Sequence, residues 1–151
     1  MISNKIFNIF RVFNRRMVNN YRRGFGPTHI VLLLTTKGRK SGLPRITPMQ
    51  YEEVNDVIVV ASARGYESDW FKNILADPHV HVQINTREFD AIAEPVTDTQ
   101  RVADFIELRV KRHPVLLRLI MFLADGLSPN FNREQLEKYC SNRAIVILHP
   151  V

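Results

Sequence analysis

Residues 35–45 read Thr-Thr-Lys-Gly-Arg-Lys-Ser-Gly-Leu-Pro-Arg and place Lys37, Arg39, Lys40 and Arg45 within nine residues without an acid. Arg and Lys make charge-assisted hydrogen bonds to phosphate, and glycines such as Gly38 and Gly42 let a backbone bend close to a ligand. The chemistry open to such a segment is anion capture. It is not a P-loop, because its lysine does not follow a GxxxxG stretch and no helix follows to aim a dipole. The same composition also suits a solvated hairpin tip whose charges keep sheet edges soluble. Residue types alone leave both readings open.

The other reactive residues form weaker groups. His79 and His81 sit two apart and share one face of a strand, but no cysteine or acid cluster completes a ligand set, so no metal is expected. Ser41, Ser62, Ser68 and Ser128 lie in no nucleophile elbow. Cys140 is the one cysteine and reads as a buried or incidental thiol. Glu52-Glu53 reads as a solvated strand end. Tyr51 and Tyr66 are candidate proton donors by chemistry alone. The stripe from Leu116 to Leu123 reads as core or a dimer interface, with the wall of an apolar substrate pocket as the alternative.

These residues need elements to position them, and 151 residues suffice for one core. Ile30–Thr36, Thr47–Glu53 and Val57–Ala63 read as strands, the last after an Asn55-Asp56 turn. Ser68 would cap a short helix over Asp69–Ala76. A hairpin follows, Val80–Ile84 returning as Glu88–Val96. Thr97 with Gln100 predicts a capped helix to Arg112, Pro114–Ala124 a further helix, Asn132 the cap of another ending at Tyr139, and Ala144–Leu148 a final strand. Six strands joined mainly by hairpins, with helical additions, predict an α+β fold built on an antiparallel six-stranded barrel.

Charge is uneven along the chain. Residues 1–23 hold six cations and no acid, while the other 128 residues carry fifteen charges of each sign. The formal charge of +6 is thus a property of the N-terminal segment, which argues against a nucleic-acid-binding domain. Ile2, Ile6, Ile9, Phe10, Phe13 and Met17 fall on one stripe, so residues 3–22 read as an amphipathic helix; 1–26 then form an N-terminal helical segment ahead of the barrel over 27–151, within a single domain overall. That helix could cover the barrel, lie on an anionic membrane surface, or bring Arg22 or Arg23 to a polyanionic ligand. No apolar run is long enough to span a bilayer and no secretory signal is read, so a cytoplasmic location is expected, with peripheral contact at the inner membrane face left open.

From about residue 28 onward the chain resembles the deazaflavin-dependent nitroreductase-like proteins. Four stretches carry the resemblance in order and spacing: Thr-Lys-Gly-Arg-Lys-Ser-Gly-Leu-Pro-Arg (36–45), Thr-Pro-Met-Gln-Tyr (47–51), Ala-Ser-Ala-Arg-Gly (61–65) with Asp-Trp-Phe-Lys-Asn-Ile (69–74), and Asp-Pro-His-Val-His-Val-Gln (77–83). The resemblance implies a split β-barrel of the FMN-binding type and binding of coenzyme F420, a flavin-like hydride carrier with a phosphate and a polyglutamate tail. FMN is the alternative cofactor for such a barrel. Arg39, Lys40, Ser41 and Arg45 match positions that hold the phosphate, with Lys37 assisting from the same turn. Pro48, Met49 and Gln50, together with Ala63, Arg64 and Gly65, match positions lining the deazaflavin ring. Trp70 and Asn73 match a helix that buttresses the cofactor. The implied activity is hydride transfer to a quinone, nitroaromatic or activated alkene, against the alternative of a non-catalytic cofactor or lipid carrier, and a homodimer is implied as well. Two stretches depart from the family pattern: the loop between Ser62 and Trp70 is shorter, and segment 109–133 lacks the tyrosines that shape the substrate pocket in those enzymes.

Overall fold

The computed structural model describes residues 15, 16, 18–21, 23, 30–62 and 64–151. In chain order the elements are β1 (Val31–Lys37), β2 (Pro44–Val54), β3 (Val57–Ser62), a 3-10 turn (Gly65–Glu67), α1 (Asp69–Ala76), β4 (His79–Ile84), β5 (Arg87–Val96), α2 (Thr99–Arg112), α3 (Pro114–Asp125), α4 (Arg133–Cys140) and β6 (Ala144–Pro150). All strand pairs are antiparallel, and the order β1-β2-β3-β6-β5-β4 closes into a barrel through the pairing of β1 with β4. Closure removes the unpaired edges that an open six-stranded sheet would present. The expected six-stranded antiparallel barrel with helical additions is therefore the fold observed.

Two apolar clusters hold it. Inside the barrel, Leu32 and Leu34 of β1 meet Ile58 and Val60 of β3, Val80 and Val82 of β4, and Val146 and Leu148 of β6. Helix α1 adds Phe71 and Ile74 to the same cluster. The second cluster lies outside the barrel, where Val59 of β3 and Ile145 of β6 face Val102, Phe105 and Ile106 of α2 and Leu136 of α4. Strands β3 and β6 are continuous apolar runs because they are covered on both faces, whereas β4 alternates because one face meets water. The tight β2–β3 turn places both Asn55 and Asp56 at positive φ, 48° and 66°, which small polar residues tolerate best.

Several local expectations change. Strand β2 begins at Pro44, three residues before its expected start, so Arg45 is a strand residue facing Thr36. Ser68 occupies the N-cap position of α1 without capping it; its hydroxyl lies 2.8 Å from the Ser62 hydroxyl and donates to the Gly65 carbonyl at 3.3 Å. The cap of α2 is Asp98, which accepts from the Arg101 amide at 2.9 Å, in place of the expected Thr97–Gln100 box. Asn132 and Gln135 do form a reciprocal capping box on α4. Cys140 is fully buried, and that burial pushes its thiol up to about 11. Most of the helix expected over 3–22 lies outside the described residues; of it, 15, 16 and 18–21 are helical.

The carboxylate expected to be solvated is the largest correction. Glu52 is buried on the outer face of β2, held by Arg109 at 3.4 Å, Arg112 at 3.1 Å and His113 at 3.1 Å. A buried carboxylate is tolerated only when several donors replace its lost water. Glu53, the next residue, is exposed and paired with Arg87.

The glycines give a contrast that can be measured. Gly65 has φ +56° and an added Cβ would run into the Asn142 carbonyl, whereas Gly42, at φ +71°, faces open space. Gly65→Ala is expected to cost about 2–4 kcal/mol and Gly42→Ala about 1 kcal/mol. Thermal melts should show the first lowering Tm by roughly 5–15 °C, and equal melting of the two variants would show that the Gly65–Asn142 approach is not tight.

Candidate functional site

The β1–β2 connection is a closed loop. Gly38 N donates to Leu43 O at 2.8 Å and Gly42 N donates back to Gly38 O at 2.8 Å. Gly42 at positive φ makes the reversal possible, and Gly38 is needed because a Cβ there would press on the Ser41 hydroxyl and the Leu43 carbonyl. Ser41 Oγ accepts from the Leu43 amide at 3.2 Å and from Arg45 Nη2 at 3.4 Å, which leaves its own O–H to donate outward.

The loop is docked on α1 through Asn73, which is 3% exposed. Its Oδ1 accepts from Arg39 N at 3.2 Å and Arg39 Nη1 at 3.0 Å, and its Nδ2 donates to Thr36 Oγ1 at 3.1 Å. Thr36 is itself buried. A single amide thus satisfies a strand hydroxyl, a loop amide and a guanidinium, all partly or wholly removed from water. Arg39 extends from Asn73 to the carboxylate of Asp69, 3.2 Å away, and to the Asp69 carbonyl at 3.4 Å.

Loop and helix form two walls of a cavity of about 910 Å³. Arg39, Lys40, Ser41 and Arg45 line it from the loop, Trp70 and Asn73 from α1, and Pro44, Ile46 and Thr47 from β2. Arg15, Val18 and Asn19 line it from the N-terminal helical residues, which are pinned by Tyr21. The Tyr21 hydroxyl accepts from the Asn85 amide at 2.7 Å and donates to Gln83 O at 3.4 Å. Four cations and one acid, Asp69, thus face the same space. Among the described residues, the Asp69 carboxylate engages Arg39 only. Lys40 has no hydrogen-bond or ion-pair partner among the described residues, and Arg45 has only the Ser41 hydroxyl.

The structure therefore brings six of the sequence-derived residues into one cavity: Arg39, Lys40, Ser41, Arg45, Trp70 and Asn73. It places others elsewhere. Lys37 does not line the cavity; its charge acts on Asp77, whose carboxyl is held below its ordinary range mainly by hydrogen bonds from His79. Met49 is buried inside the barrel, and Gln50 accepts from Arg109 at 2.8 Å on the opposite face of β2. Pro48, two residues before Gln50, shares that outer parity. Gly65 is buried against Asn142, Arg64 is exposed before the 3-10 turn, and Ala63 lies outside the described residues.

Neither tyrosine candidate lines the cavity. Tyr51 packs against the barrel interior, where burial first and the Glu53 charge second raise its hydroxyl above the ordinary value. Tyr66 is exposed with its ring edge-on to Phe71. His79 pairs with Asp77 and His81 with Asp90 and Glu88, and no cluster able to hold a metal ion occurs among the described residues. Arg15, Asn19 and Asp69 are among the cavity residues that sequence reasoning missed. The i, i+4 spacing of Arg15 and Asn19 puts them on one helix face, but only docking tells which face meets the barrel.

Comparisons with known proteins agree with this fold. An F420H(2)-dependent quinone reductase of Mycobacterium tuberculosis is 31% identical over 68 residues, covering 43% of this chain and 46% of that protein. The match thus spans about half the length of the curated relative. A solved structure described as an F420-H2-dependent reductase superposes with a TM-score of 0.53 at 22% identity, covering 79% of this chain and 93% of the other. A haem storage protein of Vibrio cholerae superposes equally well, with a TM-score of 0.53 at 16% identity over 91% of this chain and 90% of the other. Likeness at that level shows the split-barrel fold alone. The family model described as F420H(2)-dependent quinone reductase matches residues 9–115, well over half the chain and the whole cation-lined loop. It is named for quinone and not nitro reduction, and the deazaflavin dependence implied by the sequence is common to both descriptions. The chain belongs to the F420H(2)-dependent quinone reductase family.

Proposed function

We propose that this protein binds coenzyme F420 in the 910 Å³ cavity and reduces a quinone-type acceptor with it. The observation that carries the proposal is the pair of cations, Lys40 and Arg45, that face the cavity with no carboxylate partner among the described residues. Unneutralised charge at a concave site favours a polyanionic ligand. The family to which the chain belongs supports the deazaflavin as that ligand. The donor set fits it: Lys40, Arg45 and the Ser41 O–H suit a phosphate, and Arg15 and Arg39 extend the positive surface toward an anionic tail.

The chain's own contribution is placement and electrostatics. When bound, the deazaflavin would supply the hydride-carrying ring. Trp70, Ile46 and Val18 offer apolar surface against which a planar ring can lie. Asn73 holds the Arg39 backbone and guanidinium, so the loop need not reorganise to receive an anion. Nitroaromatics and activated alkenes are further acceptors to be screened, since a hydride carrier does not by itself discriminate among them.

Trp70 is the chain's one tryptophan and lines the cavity, so its fluorescence reports occupancy directly. Titration with F420 is expected to quench it, with weaker or no response to FMN. Lys40→Ala with Arg45→Ala should weaken F420 binding by about 2–4 kcal/mol, thirtyfold or more. An unchanged affinity in that double variant would remove the loop from the binding site, and preference for FMN would keep the site and change the cofactor. Asp69→Asn should act oppositely. It removes the cavity's one acid and the partner that engages Arg39, so F420 should bind a few-fold tighter, by roughly 0.5–1 kcal/mol for an exposed charge. Weaker binding would mean that Asp69 positions Arg39 instead of competing with the ligand.

A further inference from the structure

Helix α3 is apolar on its outer side. Val115, Leu116, Leu119, Ile120, Phe122 and Leu123 are exposed, from 39% at Ile120 to 80% at Val115. Only Leu117 and Met121 of this helix are buried, in the outer cluster with α2 and α4. Of the readings open for the Leu116–Leu123 stripe, core holds for Leu117 and Met121 alone. At 3.6 residues per turn the six exposed side chains occupy an arc of roughly 160°, with Leu117 and Met121 on the opposite side. No charged side chain falls within that arc. Scattered exposed leucines need no explanation, but a contiguous face of six on one helix does.

The surroundings of the face are cationic. Between Leu108 and Ala124 the chain carries Arg109, Lys111, Arg112 and Arg118 and no acid. Lys111 is exposed, with no partner among the described residues. Arg118 sits at the edge of the arc, donating to the Pro129 carbonyl and lying 5.1 Å from the Phe131 ring centroid. Arg109 and Arg112 share Glu52 with His113, so one buried carboxylate offsets two guanidinium groups. Asp125, at the far end of the helix, is paired with Arg143 and accepts from Tyr139.

We propose that the outer face of α3 docks on an anionic lipid bilayer surface, its apolar arc entering the interface and Lys111 and Arg118 meeting lipid phosphates. An apolar helix face rimmed by Lys and Arg is the composition that such surfaces bind. Charge separates this occupant from a second copy of the chain. A two-fold contact would set the same patch against itself and bring both sets of rim cations together. The inference is independent of the cofactor reading and of the basic N-terminal segment, because it rests on residues 109–123 alone.

The test uses the full chain and sedimentation with phosphatidylcholine vesicles containing about one-third phosphatidylglycerol, against vesicles of phosphatidylcholine alone. The chain is expected to partition onto the anionic vesicles, and Leu119→Glu with Leu123→Glu to lower that partition about tenfold or more. Leu75→Glu, at an exposed leucine on α1, should leave it unchanged. A Leu123→Cys variant carrying an environment-sensitive fluorophore should blue-shift only when anionic vesicles are added; Cys140 is buried and remains unlabelled. No binding by the unaltered chain, or equal binding by the double glutamate variant, would overturn the proposal. So would a dimer without lipid that the double variant converts to monomer, which would make a second copy the occupant. A probe already shielded in a lipid-free monomer would overturn it too, by showing that the chain itself covers the face. Failure of F420 to bind would leave these outcomes unaffected.

Discussion

Asn73 projects from α1 into a space where a strand hydroxyl, a loop amide and a guanidinium all need partners. Buried polar groups left unpaired cost more than their bonds return, so these three groups converge on one amide that can serve each of them. The bond to Thr36 fixes α1 against β1, and the bonds to Arg39 fix the basic loop against α1. Phe71 and Ile74, on the same short helix, are anchored among the apolar side chains inside the barrel. The position of the cations is therefore tied to the hydrophobic core through a helix of eight residues. The cavity lies where barrel, loop and helix meet, so its geometry depends on all three.

The barrel does a different task on each of its faces. Its interior is filled by side chains, Leu34 and Met49 among them. Its outer surface over β3 and β6 is buried under α2 and α4, and over β2 it carries the Glu52 cluster that clamps the end of α2. What remains for chemistry is the end where the β1–β2 loop emerges. Ligand sites on such scaffolds fall where loops can vary without disturbing the packed layers.

Charge is distributed with the same economy. Most carboxylates near the helices are matched, as Arg133 shows by reaching Asp104, Glu107 and Glu137 at 2.7–2.9 Å. Lys40 and Arg45 of the loop and Lys111 beside α3 are among the groups left without a carboxylate partner among the described residues. Exposed ion pairs contribute little to stability, so leaving cations free costs the fold almost nothing while making them available to anions.

The strands and the hairpins that join them were legible in the sequence because apolar runs, alternation and turn residues are local signals. Thr36–Arg45 was legible as an anion-binding candidate for the same reason: charge and glycine content can be read without knowing what lies nearby. Glu52 could not be read this way, since its three cationic partners come from residues 109–113 and only the packing of α2 on β2 brings them together. Asp69 and Arg15 entered the cavity by the same kind of long-range approach. The Leu116–Leu123 stripe was left open between core and interface because helical periodicity marks an apolar face without saying whether anything covers it. By itself the sequence determined the barrel's strands, the dependence on a deazaflavin and the cationic loop, all of which depend on short-range order. Tertiary structure alone decided which cations remain unpaired and which apolar face remains bare, because those depend on distances between segments far apart in the chain.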